Sequence, residues 1–236
     1  MRTRQPPPFT SALSWREGIC VLAWLPVHVL LLPLLLTRLG ALRGMSQSVL
    51  NLVVYGVGAL FMLTAAFRFL RRDFDALLDR PLFALSEIVW AYAAMMGFNL
   101  LLAVLMTALL PETENPNNAA VMSLVLADRG VMKATVMLLA PNVEEMLFRA
   151  GLFGILRQRS RLLAYAVSML AFAVYHVWAF AAADPIFLIY LLQYLPVGWL
   201  LARCYERTNS IWCSILFHMT VNTIAVNAFL ALQKYL

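Results

Sequence analysis

The sequence predicts an all-α, polytopic membrane helix bundle of about seven to eight transmembrane helices. Two observations support this fold class. Of the 236 residues, 63% are hydrophobic and only 13% are charged, whereas soluble domains carry about 25% charged residues. The hydrophobic residues form long apolar runs that occupy nearly the whole chain, which leaves no room for a separate soluble domain. We therefore expect a single integral membrane domain over residues 1–236.

Seven apolar runs are long enough to cross a hydrocarbon core, which takes about 20 helical residues. The predicted spans are residues 18–37, 49–70, 82–110, 131–156, 162–182, 185–203 and 211–232. Residues 119–127 are also apolar, but Asp128, Arg129 and Lys133 follow them and disfavour a position at the bilayer centre. We interpret this stretch as a short surface helix. The alternative is an eighth span at 119–140, which would put the basic loop 157–161 on the wrong side.

The formal charge of +6 comes mainly from arginines between the apolar runs. Basic residues occupy the N-terminus, the segment after span 2 and the loops 157–161 and 203–207, which fall on one side of a seven-span chain. Arg38 and Arg43 are the exception. Because positive residues stay inside, we predict a cytoplasmic N-terminus and an outer C-terminus. We expect a multi-pass protein of a plasma (inner) membrane. The lipid bilayer is then a partner, and nucleic acid is not.

Several polar side chains within the apolar runs are expected to be structural. His28 in the first run has no polar neighbour at helical spacing, so we interpret it as a packed histidine. Glu87 and Asn99 in the third run are expected to form hydrogen bonds between helices. The three cysteines show no C-x-x-C spacing and are interpreted as small apolar residues. The first run lacks a small-x-small cleavage site and is interpreted as an uncleaved anchor.

Two adjacent carboxylates and an arginine lie within the fourth apolar run. Ionisable groups at bilayer depth cost roughly 2.5–3.5 kcal/mol each on insertion scales, so they usually have partners and a function. On a helix, Glu145 and Arg149 are four residues apart and can form an ion pair. Glu144 lies about 100° round the axis and must face something else. The alternative, a solvated helix face at the membrane edge, fits poorly with such apolar flanks.

Two later spans supply polar groups that match these carboxylates. His176 lies in the fifth span, and His218 and Asn222 share one face of the seventh. At about 1.5 Å per residue, Glu144 and these three residues lie roughly 16–22 Å from the basic ends of their helices. Three helices therefore place polar groups at about one depth, which predicts a common site.

Two kinds of chemistry fit this set. A carboxylate with a histidine can deprotonate a water, and a second histidine with an amide can stabilise an oxyanion, which together would hydrolyse an amide bond. Alternatively, Glu144, His176 and His218 could hold a zinc ion with a water as fourth ligand. The residues alone leave both open. Other protease classes are disfavoured, since the sequence has no H-E-x-x-H, no Gly-x-Ser-x-Gly and no pair of span-embedded aspartates.

Three motifs resemble those of the CAAX-protease and bacteriocin-processing (CPBP, or Abi) family of intramembrane endopeptidases, which is related to the type II CAAX prenyl endopeptidase. The motifs are Glu144-Glu145-x-x-x-Arg149, Phe172-x-x-x-His176 and His218-x-x-x-Asn222. The resemblance covers about residues 130–225. One small departure is Ala150, where a glycine is common in the family.

The resemblance implies a helical membrane fold with a water-accessible intramembrane cavity and cleavage of prenylated proteins, peptide precursors or sorting signals. It implies that Glu144 and His176 activate water, that His218 and Asn222 form the oxyanion site, and that Arg149 pairs with the second glutamate. The family has been described both as zinc-dependent and as a metal-free glutamate type, so the cofactor stays open between none and zinc.

The sequence therefore predicts an intramembrane endopeptidase that acts on a membrane-associated or exported protein or peptide. The expected partner is a substrate with a membrane-embedded or C-terminal cleavage site. The alternative is a non-catalytic membrane scaffold, immunity or transport protein that uses the same polar cluster.

Overall fold

The computed structural model describes residues 8–109 and 114–235, and these residues are helical with no strands. Residues 1–7 of the basic N-terminal segment and residue 110, the predicted end of the third span, lie outside the described residues. The bundle confirms the predicted all-α membrane fold. Six described helices are long and apolar enough to cross a membrane: Trp15–Gly40, Gln47–Ala65, Pro81–Ala108, Arg161–Ala181, Pro185–Thr208 and Ile211–Leu232.

Twelve α-helices make up the described chain, and three of their junctions are π-helical. The α-helices are α1 Trp15–Pro26, α2 Leu32–Arg43, α3 Gln47–Ala65, α4 Phe67–Asp79, α5 Pro81–Leu109, α6 Pro116–Ala127, α7 Arg129–Ala134, α8 Ala140–Glu145, α9 Gly154–Arg157, α10 Arg161–Ala181, α11 Leu191–Thr208 and α12 Ile211–Leu232. The π-helical stretches are Val27–Leu31, Thr135–Leu139 and Met146–Phe153, and a 3-10 turn at Pro185–Tyr190 precedes α11.

The predicted fourth span is the central helix of the bundle. It runs without a break from Arg129 to Arg157 through α7, α8 and α9, and two π-helical stretches divide it. It is not among the six apolar candidates. Every side chain from Val143 to Ala150 is buried, and the central helix contacts α1, α3, α10 and α12. Neighbouring helices rather than lipid therefore surround its charged residues.

The prediction that span 2 extends to residue 70 is wrong. Helix α3 ends at Ala65. Phe67–Asp79 forms a separate amphipathic helix, α4, in place of the end of span 2 and the segment after it. The hydrophobic run continues to residue 70 because Phe69 and Leu70 lie on the buried face of α4. Run length alone therefore placed the end of the span too late. Arg68, Arg71 and Arg72, which flank these two residues, are exposed.

The N-terminal segment, α4 and the turn between α11 and α12 lie at one end of the bundle. The Thr10 amide donates to Oδ1 of Asn209 at 2.7 Å, and the Ser11 hydroxyl donates to the carboxylate of Asp73 in α4. The Asp73 carboxylate also accepts from the Ile211 amide at 2.9 Å. We call this the basic end. The charge count predicted that these segments share one side, and they lie together. Residues 203–207, predicted as a loop, instead form the last turns of α11, because the helix continues to Thr208.

Two buried glutamates join helices at the basic end. Glu206 pairs with Arg157 and Arg161 at 2.5 and 2.9 Å. Glu87 of α5 pairs with Arg203 and Arg207 of α11 at 2.5 and 2.7 Å. The prediction that Glu87 bonds between helices is therefore confirmed.

Candidate active site

A cavity of about 720 Å³ lies between the central helix and the helices α3, α5, α6, α10, α11 and α12. Its wall includes Glu144, His176, His218 and Asn222, so the structure brings the four predicted residues to one space. Asn99, Gln193 and Val197 line other parts of it. The wall thus combines a few polar groups with many apolar ones, as ligand cavities do.

Both carboxylate oxygens of Glu145 bond to neighbouring side chains. Its Oε1 pairs with Nη1 of Arg149 at 3.2 Å and lies 2.8 Å from Nδ1 of His218. Its Oε2 accepts from the Ser214 hydroxyl at 2.6 Å. Glu145 and Arg149 are both completely buried. The predicted ion pair is present, and it also anchors a histidine of the cavity.

Arg149 ties the central helix to two neighbours. Its Nη2 donates to the carbonyl of Gly198 in α11 at 3.2 Å. Its guanidinium lies 4.2 Å from the centre of the Phe172 ring in α10, a distance within cation–π range. The second charge of the motif therefore fixes helix positions around the cavity.

Glu144 has one engaged oxygen and one that faces the histidines. Oε1 accepts from the Tyr55 hydroxyl at 3.1 Å. Oε2 is buried and makes no hydrogen bond to the described residues. It lies 3.6 Å from Nε2 of His176 and 3.9 Å from Nε2 of His218. One carboxylate oxygen and two ring nitrogens thus converge on the cavity.

The other ring nitrogens fix how these histidines are oriented. Nδ1 of His176 lies 2.8 Å from the carbonyl of Phe172, and because a carbonyl only accepts, Nδ1 carries the proton. Nδ1 of His218 donates in the same way to Glu145, whose charge Arg149 balances. In a neutral ring each Nε2 then presents a lone pair. The point between them and Glu144 suits a water molecule.

Asn222 and Tyr194 complete the site. The Asn222 amide donates one hydrogen to the carbonyl of Val136 at 2.9 Å, which leaves its second N–H for another acceptor. The Tyr194 ring stacks on His176 with centroids 4.6 Å apart. Its hydroxyl accepts from the Asn117 amide at 3.1 Å, so α6 helps to hold this ring.

Sequence reasoning missed three aromatic residues of the site, Tyr55, Tyr175 and Tyr194. Tyr175 is adjacent to His176, but nothing in the sequence places α3 or α11 beside the central helix. His28, expected to be a packed residue, is indeed buried, but it packs on Tyr55 and Tyr175 next to Glu144.

A zinc site would need the side chains of Glu144, His176 and His218 to surround one point. Among the described residues, no three His, Cys, Asp or Glu side chains form a group that could hold a metal ion. We therefore derive no step through a metal.

Two comparisons with known proteins match this part of the chain. Residues 128–224 match the family model "Type II CAAX prenyl endopeptidase Rce1-like". A stretch of 114 residues is 31% identical to a Bacillus subtilis (strain 168) protein named "Putative membrane peptidase YdiL". This stretch covers 48% of the chain and 43% of the relative, so the match spans less than half the length of that protein. No solved structure matches the chain significantly. All three predicted motifs fall within residues 128–224.

Proposed function

We propose that this multi-pass membrane protein is an intramembrane endopeptidase of the CPBP family. Its substrate is a membrane-associated or exported protein or peptide. The match of residues 128–224 to the Rce1-like family model supports this proposal. The observation that carries the proposal is the free Oε2 of Glu144, which faces two imidazole nitrogens in a cavity large enough for a peptide segment.

Glu144 is the general base in this proposal. A water held between Oε2 of Glu144 and Nε2 of His176 gives a proton to Glu144 while its oxygen attacks the scissile carbonyl carbon. His176 accepts the second hydrogen of that water and orients it. Glu144 then passes its proton to the amide nitrogen as the carbon–nitrogen bond breaks, which regenerates the carboxylate.

His218 and Asn222 stabilise the oxyanion in this proposal. Asn222 offers the amide hydrogen that Val136 does not use. His218 can donate through Nε2 only when its ring is protonated, and Glu145 on Nδ1 stabilises that charge. Removing one donor of an oxyanion site typically costs about 100- to 1,000-fold in kcat.

Substitution of Glu144 tests the proposal. The purified protein is incubated in detergent with a prenylated C-terminal peptide and with a library of unmodified internally quenched peptides, and products are identified by mass spectrometry. We expect Glu144→Gln to lose at least about 1,000-fold in kcat/KM, because the general base is gone, with an unchanged melting temperature. Parent-like cleavage by the variant would refute the mechanism.

Chelator and metal analysis in the same assay separate the two cofactor options. Metal-free catalysis predicts cleavage that persists in a strong chelator and purified protein without stoichiometric zinc. Chelator-sensitive cleavage restored by zinc would reject the metal-free mechanism. Failure of the parent protein to cleave any peptide would instead favour a scaffold that uses the same polar cluster.

A further inference from the structure

Three aromatic side chains that the mechanism does not use form a partly buried row behind Glu144. The Tyr55 hydroxyl of α3 donates to Oε1 of Glu144 at 3.1 Å. The hydroxyls of Tyr55 and Tyr175 of α10 lie 2.8 Å apart. The Tyr175 hydroxyl in turn lies 3.4 Å from Nε2 of His28. Three helices from distant parts of the chain thus each contribute one polar group to this row.

The row has one consistent direction of donation. Each phenol has a single proton, and the Tyr55 proton is committed to the carboxylate. The Tyr55 oxygen must then accept from Tyr175, and the Tyr175 oxygen from Nε2–H of His28. Every donor points towards Glu144, and hydrogen bonds aligned in this way polarise and strengthen one another.

We propose that Tyr55, supported by Tyr175 and His28, is a positioning residue for Glu144; this inference rests on the proposed function. The terminal torsion of a glutamate is soft, so an unrestrained carboxylate presents either oxygen. The Tyr55 bond holds Oε1 and leaves Oε2 facing His176 and His218. Holding a base in its working orientation before substrate arrives lowers the barrier to reaction.

A packing role alone does not account for the hydroxyls. The His28 ring packs on Tyr55 with centroids 5.0 Å apart, and a phenylalanine would keep this contact. Tyr55 and Tyr175 also line both the main cavity and a second one of about 150 Å³ on the His28 side. They therefore lie between the two cavities, and the Tyr55 hydroxyl reaches Glu144 from the His28 side.

Removal of single hydroxyls tests the proposal. We expect Tyr55→Phe to lower kcat about 10- to 100-fold with KM within about twofold of the parent value, because orientation rather than binding is lost. Tyr175→Phe should have a smaller effect, and none when added to Tyr55→Phe, because it acts through Tyr55. Tyr92→Phe in α5, outside the cavity wall, is the matched control and should leave kcat unchanged.

A second measurement does not depend on cleavage. The parent protein and the variants Tyr55→Phe, Tyr92→Phe and Glu144→Gln are treated with a membrane-soluble carbodiimide, which attaches to carboxyl oxygens. The modification of Glu144 is followed by peptide mass mapping. With Oε1 released, Glu144 should react several-fold faster in Tyr55→Phe than in the parent or in Tyr92→Phe. Glu144→Gln shows which adduct belongs to this residue.

Parent-like kcat in Tyr55→Phe, or multiplicative losses in the double variant, would overturn the inference while the proposed function stands. If the parent cleaves no peptide, the proposed function fails and the labelling rates decide. Faster modification of Glu144 in Tyr55→Phe then supports the hydrogen bond as a positioning contact, and an unchanged rate overturns it.

Discussion

Buried charge at the site is distributed over several partners. Arg149 and Glu145 neutralise each other, and each has a second polar partner, Gly198 for the arginine and Ser214 for the glutamate. A buried ion pair is roughly neutral for stability when complete, but costly when one member is removed. The pair therefore explains why two glutamates are adjacent: one holds the architecture and the other faces the cavity.

Loss of the Glu145 charge should destabilise the protein strongly. Glu145→Gln leaves Arg149 buried and uncompensated, and we expect a loss of about 3–5 kcal/mol in the free energy of unfolding. Addition of Arg149→Met should recover part of that loss. The melting temperature in detergent micelles measures both effects.

Glu206→Gln at the basic end is the matched control. Its partners Arg157 and Arg161 have side chains that are 27% and 66% exposed, so water can partly replace the lost carboxylate. The expected loss is about 1–3 kcal/mol, below that of Glu145→Gln. Equal destabilisation by Glu145→Gln and Glu206→Gln would contradict this account of the central pair.

Helix α11 approaches α10 closely at one glycine, next to the site. A Cβ atom on Gly198 would lie 3.3 Å from the Cα of Met169, which is backbone and cannot move aside alone. The Gly198 carbonyl also accepts from Arg149. The spacing of two helices and the position of the buried arginine therefore depend on a residue with no side chain.

Gly198→Val should separate α10 from α11. We expect a loss of about 1–3 kcal/mol in stability, the usual cost of overpacking, together with reduced cleavage because Arg149 and Phe172 shift. Gly97→Val is the control, since a Cβ atom there meets nothing within 4 Å. Thermal unfolding and the peptide assay compare the two, and matched losses at both glycines would rule out the close approach as the cause.

Asp73 gives helix α4 a pH-dependent attachment to the basic end. Burial raises the pKa of Asp73 above its usual 3.8, although hydrogen bonds from Ser11 and Ile211 oppose the shift. The folded protein therefore holds this proton to a higher pH than the unfolded chain does. The contribution of the carboxyl to stability is then fully present below the unfolded pKa and declines as pH rises through the raised one.

Asp73→Asn removes this titrating group. Comparison with the parent therefore shows whether the contribution of Asp73 to stability falls or rises with pH. The melting temperature of the parent minus that of Asp73→Asn is expected to fall as pH rises from about 4 to about 7. The effects of other titrating groups cancel when one melting temperature is subtracted from the other. A difference that stays constant or grows with pH would show that the shift has the opposite direction.

The bundle as a whole has one basic end, and its placement in the cytoplasm is our proposal from the positive-inside rule. In a background free of native cysteines, Asp184→Cys should react with a membrane-impermeant maleimide in intact cells. Arg159→Cys, in the turn at the basic end, should react only after the cells are opened. The reverse labelling pattern would invert the topology.

The features that were predicted correctly are those that depend on local sequence pattern. Span positions follow from run length, and the Glu145–Arg149 pair follows from helical spacing. The break at Ala65 was missed because the apolar face of α4 continues the hydrophobic run. Tyr55 was missed because it lies 89 residues from Glu144 in the sequence and approaches it only through the packing of two helices. Residue spacing does not reveal such a contact.

The anchoring of the N-terminal segment has a consequence for biosynthesis. Thr10 and Pro8 bind Asn209, which adopts a left-handed conformation with φ 52° in the turn before α12. Thr10 can therefore dock only after Asn209, 199 residues further along the chain, has been synthesised. A chain that stalls before this turn lacks the attachment point for the segment at Pro8 and Thr10.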